Sequence, residues 1–323
     1  MEGVWARRGA PTWALWPFSA LFCAAVALRR RAYGHGLFRR QRLPRPVIVV
    51  GNLSVGGTGK TPLVAWLAQH ARARGLRPGI LARGYGGRSR HWPRRVSPGD
   101  RAREVGDEPL LLSRTTGVPV VVGPDRVAAG RLLGDACDLL ISDDGLQHYA
   151  LERDLEIAVV DGERRLGNGL CLPAGPLREP PRRLAEVDLV VANGRPAAGE
   201  FTMYLRLGEA VSLTDPGDRR PLTSFIPRRP LAMAGIGHPQ RFFTALAAAG
   251  LDCETHAFPD HHPFSAADLA PFSGRPLLMT AKDAVKCEPF GGADMWYVPA
   301  QAVPEQAFVH RIDTFFDTLP SHG

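Results

Sequence analysis

Val47-Ile48-Val49-Val50-Gly51-Asn52-Leu53-Ser54-Val55-Gly56-Gly57-Thr58-Gly59-Lys60-Thr61-Pro62 is the stretch that decides the fold. Four β-branched residues after Pro46 read as a buried parallel strand, because a strand covered on both faces needs no polar alternation. The glycine-rich turn lets successive backbone N–H groups converge on one anion. Thr61 to Gly75 then predicts a helix with Leu63, Val64, Leu67 and Ala71 on one face. Strand, loop and helix in this order make a phosphate-binding loop, with Ser54, Val55, Gly56, Gly57, Thr58, Gly59, Lys60 and Thr61 as candidate nucleotide ligands. Lys60 would pair with the β- and γ-phosphates of ATP, and the Thr61 hydroxyl would hold Mg²⁺. In the usual Gly-x4-Gly-Lys-Ser/Thr spacing Ser54 stands where the first glycine belongs, and Gly56 and Gly57 supply the flexibility instead.

Working outward, strands are predicted at Gly79–Ala82, Val118–Val122, Leu139–Ser142, Ile157–Asp161 and Leu189–Ala192, with helical stretches between several of them. That alternation implies a parallel sheet covered on both faces. The strand around Ile141 ends in Asp143-Asp144, the acidic pair expected to hold the metal beside a phosphate loop. From Phe201 onward short polar segments and prolines read as a strand-rich linker. A second β/α unit then begins at Leu231–Ala234, continues with a helix from Pro239, and includes a strand at Leu277–Thr280. The expected architecture is α/β: a P-loop NTPase-like parallel-sheet domain over 36–205, a linker over 206–230, and a second, smaller α/β domain over 231–323. An N-terminal membrane-interface helix over 1–35 completes it.

Composition bounds the rest. Gly 35 and Pro 29 make about a fifth of the 323 residues, below the ~25–30% of low-complexity chains, so disorder and collagen are excluded. Of 40 basic residues only Lys60, Lys282 and Lys286 are lysines, and the net charge of +8 suits an anionic partner. Cys23, Cys137, Cys171, Cys253 and Cys287 are scattered, which points to a reducing compartment and no disulfide framework. Trp13 to Leu28 is an uncharged run of sixteen residues between Arg7-Arg8 and Arg29-Arg30-Arg31. It is short of the ~20 residues that span a bilayer. Ala25-Val26-Ala27 resembles a signal-peptide cleavage site, but the three arginines after it would have to be translocated. A helix lying in the membrane surface, anchored by Trp13, Trp16 and Phe18, fits better. A helix packed on the protein's own core is the alternative.

Phosphoryl transfer to a hydroxyl needs a proton acceptor. Gly106-Asp107-Glu108-Pro109 precedes an apolar helix, where Asp107 could serve as an N-cap or as a base. Phe258-Pro259-Asp260-His261-His262 lies in a loop of the second unit, and a histidine there could meet a carboxylate across the cleft.

These residues resemble the tetraacyldisaccharide 4'-kinase family, the lipid A 4'-kinases of Gram-negative bacteria. The resemblance rests on Ser54–Pro62 (SVGGTGKTP), Gly106–Pro109 (GDEP), Asp143–His148 (DDGLQH), Leu172–Pro180 (LPAGPLREP), Ala234–Phe243 (AGIGHPQRFF), Asp260–His262 (DHH) and Thr280–Lys286 (TAKDAVK), in this order. It implies ATP-dependent phosphorylation of the 4'-hydroxyl of a tetraacylated glucosamine disaccharide 1-phosphate, with ATP as co-substrate and Mg²⁺ as metal. It implies a catalytic pair of Asp107 with His261, His262 being the competing assignment, and a nucleotide-side Arg178 and Glu179. Metal ligands would be Thr61, Asp143 and Asp144. The expected partners are the lipid and the cytoplasmic face of the inner membrane, with no nucleic acid and no obligate protein partner. A P-loop nucleotide switch or metallochaperone-like NTPase is the alternative, and an NTPase of that kind needs neither the apolar helix nor the Asp–His pair.

Overall fold

The computed structural model describes Trp5 and residues 8–319; Arg7 of the N-terminal basic pair lies outside them. Helix α1 (Ala10–Gly34) comes first. The first lobe then runs β1 (Val47–Gly51), α2 (Lys60–Ala73), β2 (Pro78–Ala82), β3 (Arg94–Arg95), α3 (Asp107–Thr116), β4 (Val120–Val122) and α4 (Arg126–Leu133). It continues through β5 (Leu139–Asp143), β6 (Leu155–Asp161), β7 (Leu189–Asn193) and β8 (Phe201–Leu207). The second lobe contains β9 (Ala210–Ser212), β10 (Arg219–Arg220), β11 (Leu231–Ala234), α5 (Pro239–Ala248), β12 (Glu254–Ala257), β13 (Leu277–Thr280), α6 (Ala281–Cys287) and β14 (Met295–Val298). The chain ends its described course with β15 (Ala300–Pro304) and α7 (Gln306–Asp317).

Among the described residues the larger sheet has nine strands in the order β15-β8-β7-β6-β1-β5-β2-β4-β3. It is parallel except at its two edges, where β3 and β15 run antiparallel to their neighbours. β1 lies between β5 and β6 and is buried along its whole length, as its unbroken Val-Ile-Val-Val run requires. Helices α2, α3 and α7 cover one face through Leu63, Leu67, Leu110, Leu112, Phe308 and Ile312. Each such side chain contributes about 1.5–3 kcal/mol on full burial, which is why the 3.6-residue spacing of α2 faces inward. The other face packs on α4 and on Phe22 and Cys23 of α1. The second sheet, in the order β10-β9-β14-β13-β11-β12, has six strands among the described residues.

Two expected boundaries are corrected. The segment 206–230 carries strands, as expected of a strand-rich linker, but they join the second sheet: β9 pairs with β14 and β10 with β9, forming its antiparallel edge. The second unit does not run to the end of the chain. β15 pairs with β8 over Ala300–Pro304, and α7 buries Phe308, Ile312 and Phe316 in the first lobe. Ala-Gln-Ala-Val-Pro carries little strand signal of its own, so its place is set by the open edge of β8 and by the apolar stripe of α7.

Helix α1 is also longer than its uncharged run, at 25 residues. By length and composition alone it meets the requirement for crossing a membrane. It is not a core helix, since only 11% of its most apolar window is buried. Trp13, Trp16, Phe18, Leu21 and Leu28 are exposed.

Candidate active site

The C-terminal ends of β1 and β5, the N-terminus of α2 and one edge of the second lobe enclose a cleft of about 2180 Å³. Val55 to Thr61 line it. Gly59 stands before α2 at φ 96°, and a Cβ there would lie 2.7 Å from Asn193 Nδ2. Only glycine fits, because Asn193 donates to the Thr58 carbonyl at 3.1 Å and so closes in on the turn. Asn52, fully buried, holds the loop from beneath: it donates to the Ser54 carbonyl at 2.6 Å and accepts from Lys60 Nζ at 3.1 Å. Ser54 itself does not line the cleft; it bridges to Leu177 in the Leu172–Pro180 segment. From that segment Arg178 reaches the cleft. Glu179 does not: it is fully buried behind the loop, accepting from Gln147 Nε2 at 2.8 Å and from the Tyr149 hydroxyl.

The two strand-end aspartates differ sharply. Asp144 accepts from Arg178 at 2.8 Å and lies 3.6 Å from Lys60. Burial would raise its carboxyl, but these two cations outweigh it and hold it below the ordinary range. Asp143 is buried with Oδ1 lacking a hydrogen-bond partner among the described residues. Burial first, and then the charge of Glu108, pushes its pKa up to about 7. A buried carboxylate oxygen with no donor, beside a phosphate loop, is the donor a hard divalent cation takes. The residues therefore fit Mg²⁺. The buried Arg126 donates to the backbone carbonyls of Gly123 at 2.9 Å and Asp143 at 3.1 Å, and its charge opposes the rise of the Asp143 carboxyl.

The second lobe completes the cleft. Asp107 is the first residue of α3, whose N-cap is Gly106, so it does not occupy the cap position. Instead its Oδ2 lies 3.0 Å from His261 Nδ1, across the lobes. The hydrogen bond to Asp107 raises the His261 imidazole above its usual value, against burial and the charge of Lys282. Burial pulls Asp107 upward, yet the His261 hydrogen bond and Lys282 leave it lowered. His262 does not compete: its ring lies 5.0 Å from Phe258 and 4.8 Å from Phe264, facing Asp268 at 3.5 Å. The Gly235-Ile236-Gly237 turn rests on the phosphate loop, where a Cβ on Gly237 would meet Gly57 N at 3.0 Å. Beside it Arg241 pairs with Asp161 at 2.9 Å, and Arg164 donates to the Gly57 carbonyl at 2.9 Å.

Residues 11–317 match the family model described as LpxK, tetraacyldisaccharide-1-P 4'-kinase. The chain belongs to this family. It is 53% identical to the tetraacyldisaccharide 4'-kinase of Alkalilimnicola ehrlichii over 99% of this chain and 98% of that one. To the kinase of Nitrosococcus oceani it is 54% identical over 91% of this chain and 88% of the other. The crystal structure of the "apo" form of LpxK from Aquifex aeolicus in complex with ATP superposes with a TM-score of 0.78 at 30% identity. That match covers 94% of this chain and 99% of the crystallised one. Membership in a kinase family takes the place of the nucleotide-switch alternative.

Asp161, Arg164, Arg241 and Lys282 escaped the sequence reading because each acts through a partner distant in the chain, whereas Asn52 and Arg126 hold near neighbours, Ser54 and Gly123, that no local pattern marks. Lys282 had one visible signal, as a lysine in a chain whose basic residues are nearly all arginine.

Proposed function

We propose a division of labour for the phosphoryl transfer of this kinase family, from ATP to the 4'-hydroxyl of the tetraacylated disaccharide 1-phosphate. The phosphate loop from Val55 to Thr61 cradles the β- and γ-phosphates, and Lys60 and Arg178 neutralise their charge. Thr61 and Asp143 would hold Mg²⁺, which would neutralise charge on the phosphate oxygens. Asp144, occupied by Lys60 and Arg178, orients those two cations. The Asp107 carboxylate, oriented by His261, takes the proton as the hydroxyl oxygen bonds to the γ-phosphorus, the bond from γ-phosphorus to the β–γ bridging oxygen breaks, and ADP leaves. Glu179 positions Gln147 from behind the loop.

One observation carries this reading: Asp107 Oδ2 and His261 Nδ1 come within 3.0 Å although 154 residues separate them, beside the loop that binds triphosphates. The test is ³²P transfer from labelled ATP to tetraacyl disaccharide 1-phosphate in detergent micelles. Asp107→Ala is expected to lower kcat by about 10²–10⁴-fold with nucleotide affinity retained. Turnover near wild type would remove Asp107 from the mechanism.

The lipid acceptor belongs to a membrane surface, and α1 supports that placement. Ser19 Oγ donates to the Cys171 carbonyl at 2.7 Å, the Arg29 guanidinium lies 5.7 Å from the centre of the Tyr149 ring, and Arg30 pairs with Glu186. Held at several points along its length, α1 offers the bilayer a flank of Trp13, Trp16 and Phe18, not an end. Phe22, Val26 and Arg29 of the same helix border the cleft, so a headgroup held at α1 lies beside the phosphate loop. Because ATP is the co-substrate, the cytoplasmic face of the inner membrane is the surface we assign.

A further inference from the structure

Lys282 enters the cleft from the second lobe, and the division of labour above leaves it without a role. Its backbone is tightly held. Thr280 caps α6 by accepting from the Asp283 N–H at 3.1 Å. Asp283, fully buried, accepts from the Gly235 N–H at 2.9 Å and from the Thr280 hydroxyl at 2.7 Å. From this anchored turn the Lys282 side chain reaches to the first lobe. Its Nζ lies 3.1 Å from Glu108 Oε1, 3.4 Å from Asp260 Oδ1 and 3.4 Å from His261 Nε2.

An ammonium has three protons to donate and no lone pair, so each of these neighbours must act as acceptor. For His261 the consequence is definite. A ring nitrogen that accepts from Lys282 carries no proton, so the neutral imidazole has its proton on Nδ1, the nitrogen that faces Asp107. The opposite tautomer would set two lone pairs against each other at the Asp107 contact and two donors against each other at Lys282. The same ammonium ties α6 to Glu108, the residue next to Asp107 on α3. It also offsets part of the negative charge of Asp107, Glu108 and Asp260 when His261 is uncharged.

We propose that Lys282 is a positioning residue for phosphoryl transfer: it holds His261 as the Nδ1–H tautomer and, through Glu108, clamps the His261 loop to the helix that carries Asp107. This rests on the Asp107–His261 reading above.

The experiment compares wild type with Lys282→Met and Lys282→Arg, in micelles with ATP and the tetraacyl disaccharide 1-phosphate. Lys282→Met is expected to lower kcat about 10²-fold while KM for ATP moves by no more than about threefold, the cost of a misplaced reacting group. Lys282→Arg restores the charge and recovers part of kcat. In a His261→Ala background, Lys282→Met costs little more, because it acts through a group already lost. ¹⁵N NMR of histidine-labelled enzyme, above the pH of the imidazole transition, reads the tautomer without substrate: Nδ1–H in wild type and a mixture in Lys282→Met. If thermal melting shows Lys282→Met to be unfolded, Lys282→Gln takes its place. An unchanged kcat, a loss that multiplies in full with that of His261→Ala, or an unchanged tautomer overturns the proposal. A wild type that labels no lipid overturns the functional reading instead, and the tautomer measurement still decides Lys282.

Discussion

His261 occupies the left-handed region at φ 58°, a conformation that costs a non-glycine residue about 1–3 kcal/mol. The neighbouring contacts hold it there: its N–H donates to Asp260 Oδ1 at 3.0 Å, its ring meets Asp107, and the Tyr85 ring lies 5.1 Å away. The pH dependence of this contact follows from the opposite shifts of its two groups. His261 is raised on folding, so its contribution to stability is complete below the ordinary imidazole value of about 6.5 and fades as pH rises through the raised value. Asp107 is lowered, so its contribution holds above the ordinary carboxylate range and fades as pH falls through the lowered value. Wild type should therefore exceed His261→Ala in Tm by a margin that shrinks as pH rises above the ordinary imidazole value of about 6.5. Thermal melts across that interval check this, and parallel curves would contradict it. His261 and not His262 pairs with Asp107 for a reason invisible in the doublet: the His262 ring is packed against Phe258 and Phe264.

At the scale of elements, α1 and α2 show opposite uses of apolar sequence. α2 buries Leu63, Val64, Leu67, Ala68 and Ala71 against the sheet, with its N-terminus aimed at the cleft. α1 buries Thr12 and Ser19, packs Phe22 on the core, and turns Trp13, Trp16, Phe18, Leu21 and Leu28 outward. A helix that hides small polar groups and shows tryptophan to the outside is suited to a lipid surface. Replacing Trp13, Trp16 and Phe18 together by serine is expected to weaken partitioning onto anionic vesicles by at least about tenfold, since each aromatic gains about 1.5–3 kcal/mol on full burial. Vesicle sedimentation measures it, and kcat toward lipid in micelles should change far less. Equal sedimentation of wild type and variant would leave the outward face of α1 without that role.

At the scale of the whole molecule, the chain visits the second lobe and comes back. α7 closes the face of the large sheet that α2 and α3 also cover, and Phe308 lies there fully buried with its ring 5.9 Å from Trp66 and 5.8 Å from Phe201. Phe308→Ala is expected to destabilise the first lobe by about 3–5 kcal/mol, the cost of a core phenylalanine. Urea unfolding followed by tryptophan fluorescence would show it as a lower midpoint. A change confined to the second lobe would contradict the assignment of α7 to the first. The excursion also explains how one residue group sits on both sides of the cleft. Asp107 and Glu108 come from the first lobe, Asp260, His261 and Lys282 from the second, and the Asp161–Arg241 pair secures the two near the phosphate loop.

The strand–loop–helix around Lys60, the parallel core strands and the strand-end aspartates were legible because each is a local pattern, set by β-branching, glycine and 3.6-residue spacing within about twenty residues. Sequence alone therefore determined the α/β class, the strand–loop–helix around Lys60 and the family. The return of β15 and α7, the outward face of α1, the removal of Ser54 and Glu179 from the cleft and the three contacts of Lys282 were decided by the tertiary structure. Each depends on which surfaces and charges are left without partners once the sheets have formed, and chain order does not encode that distance.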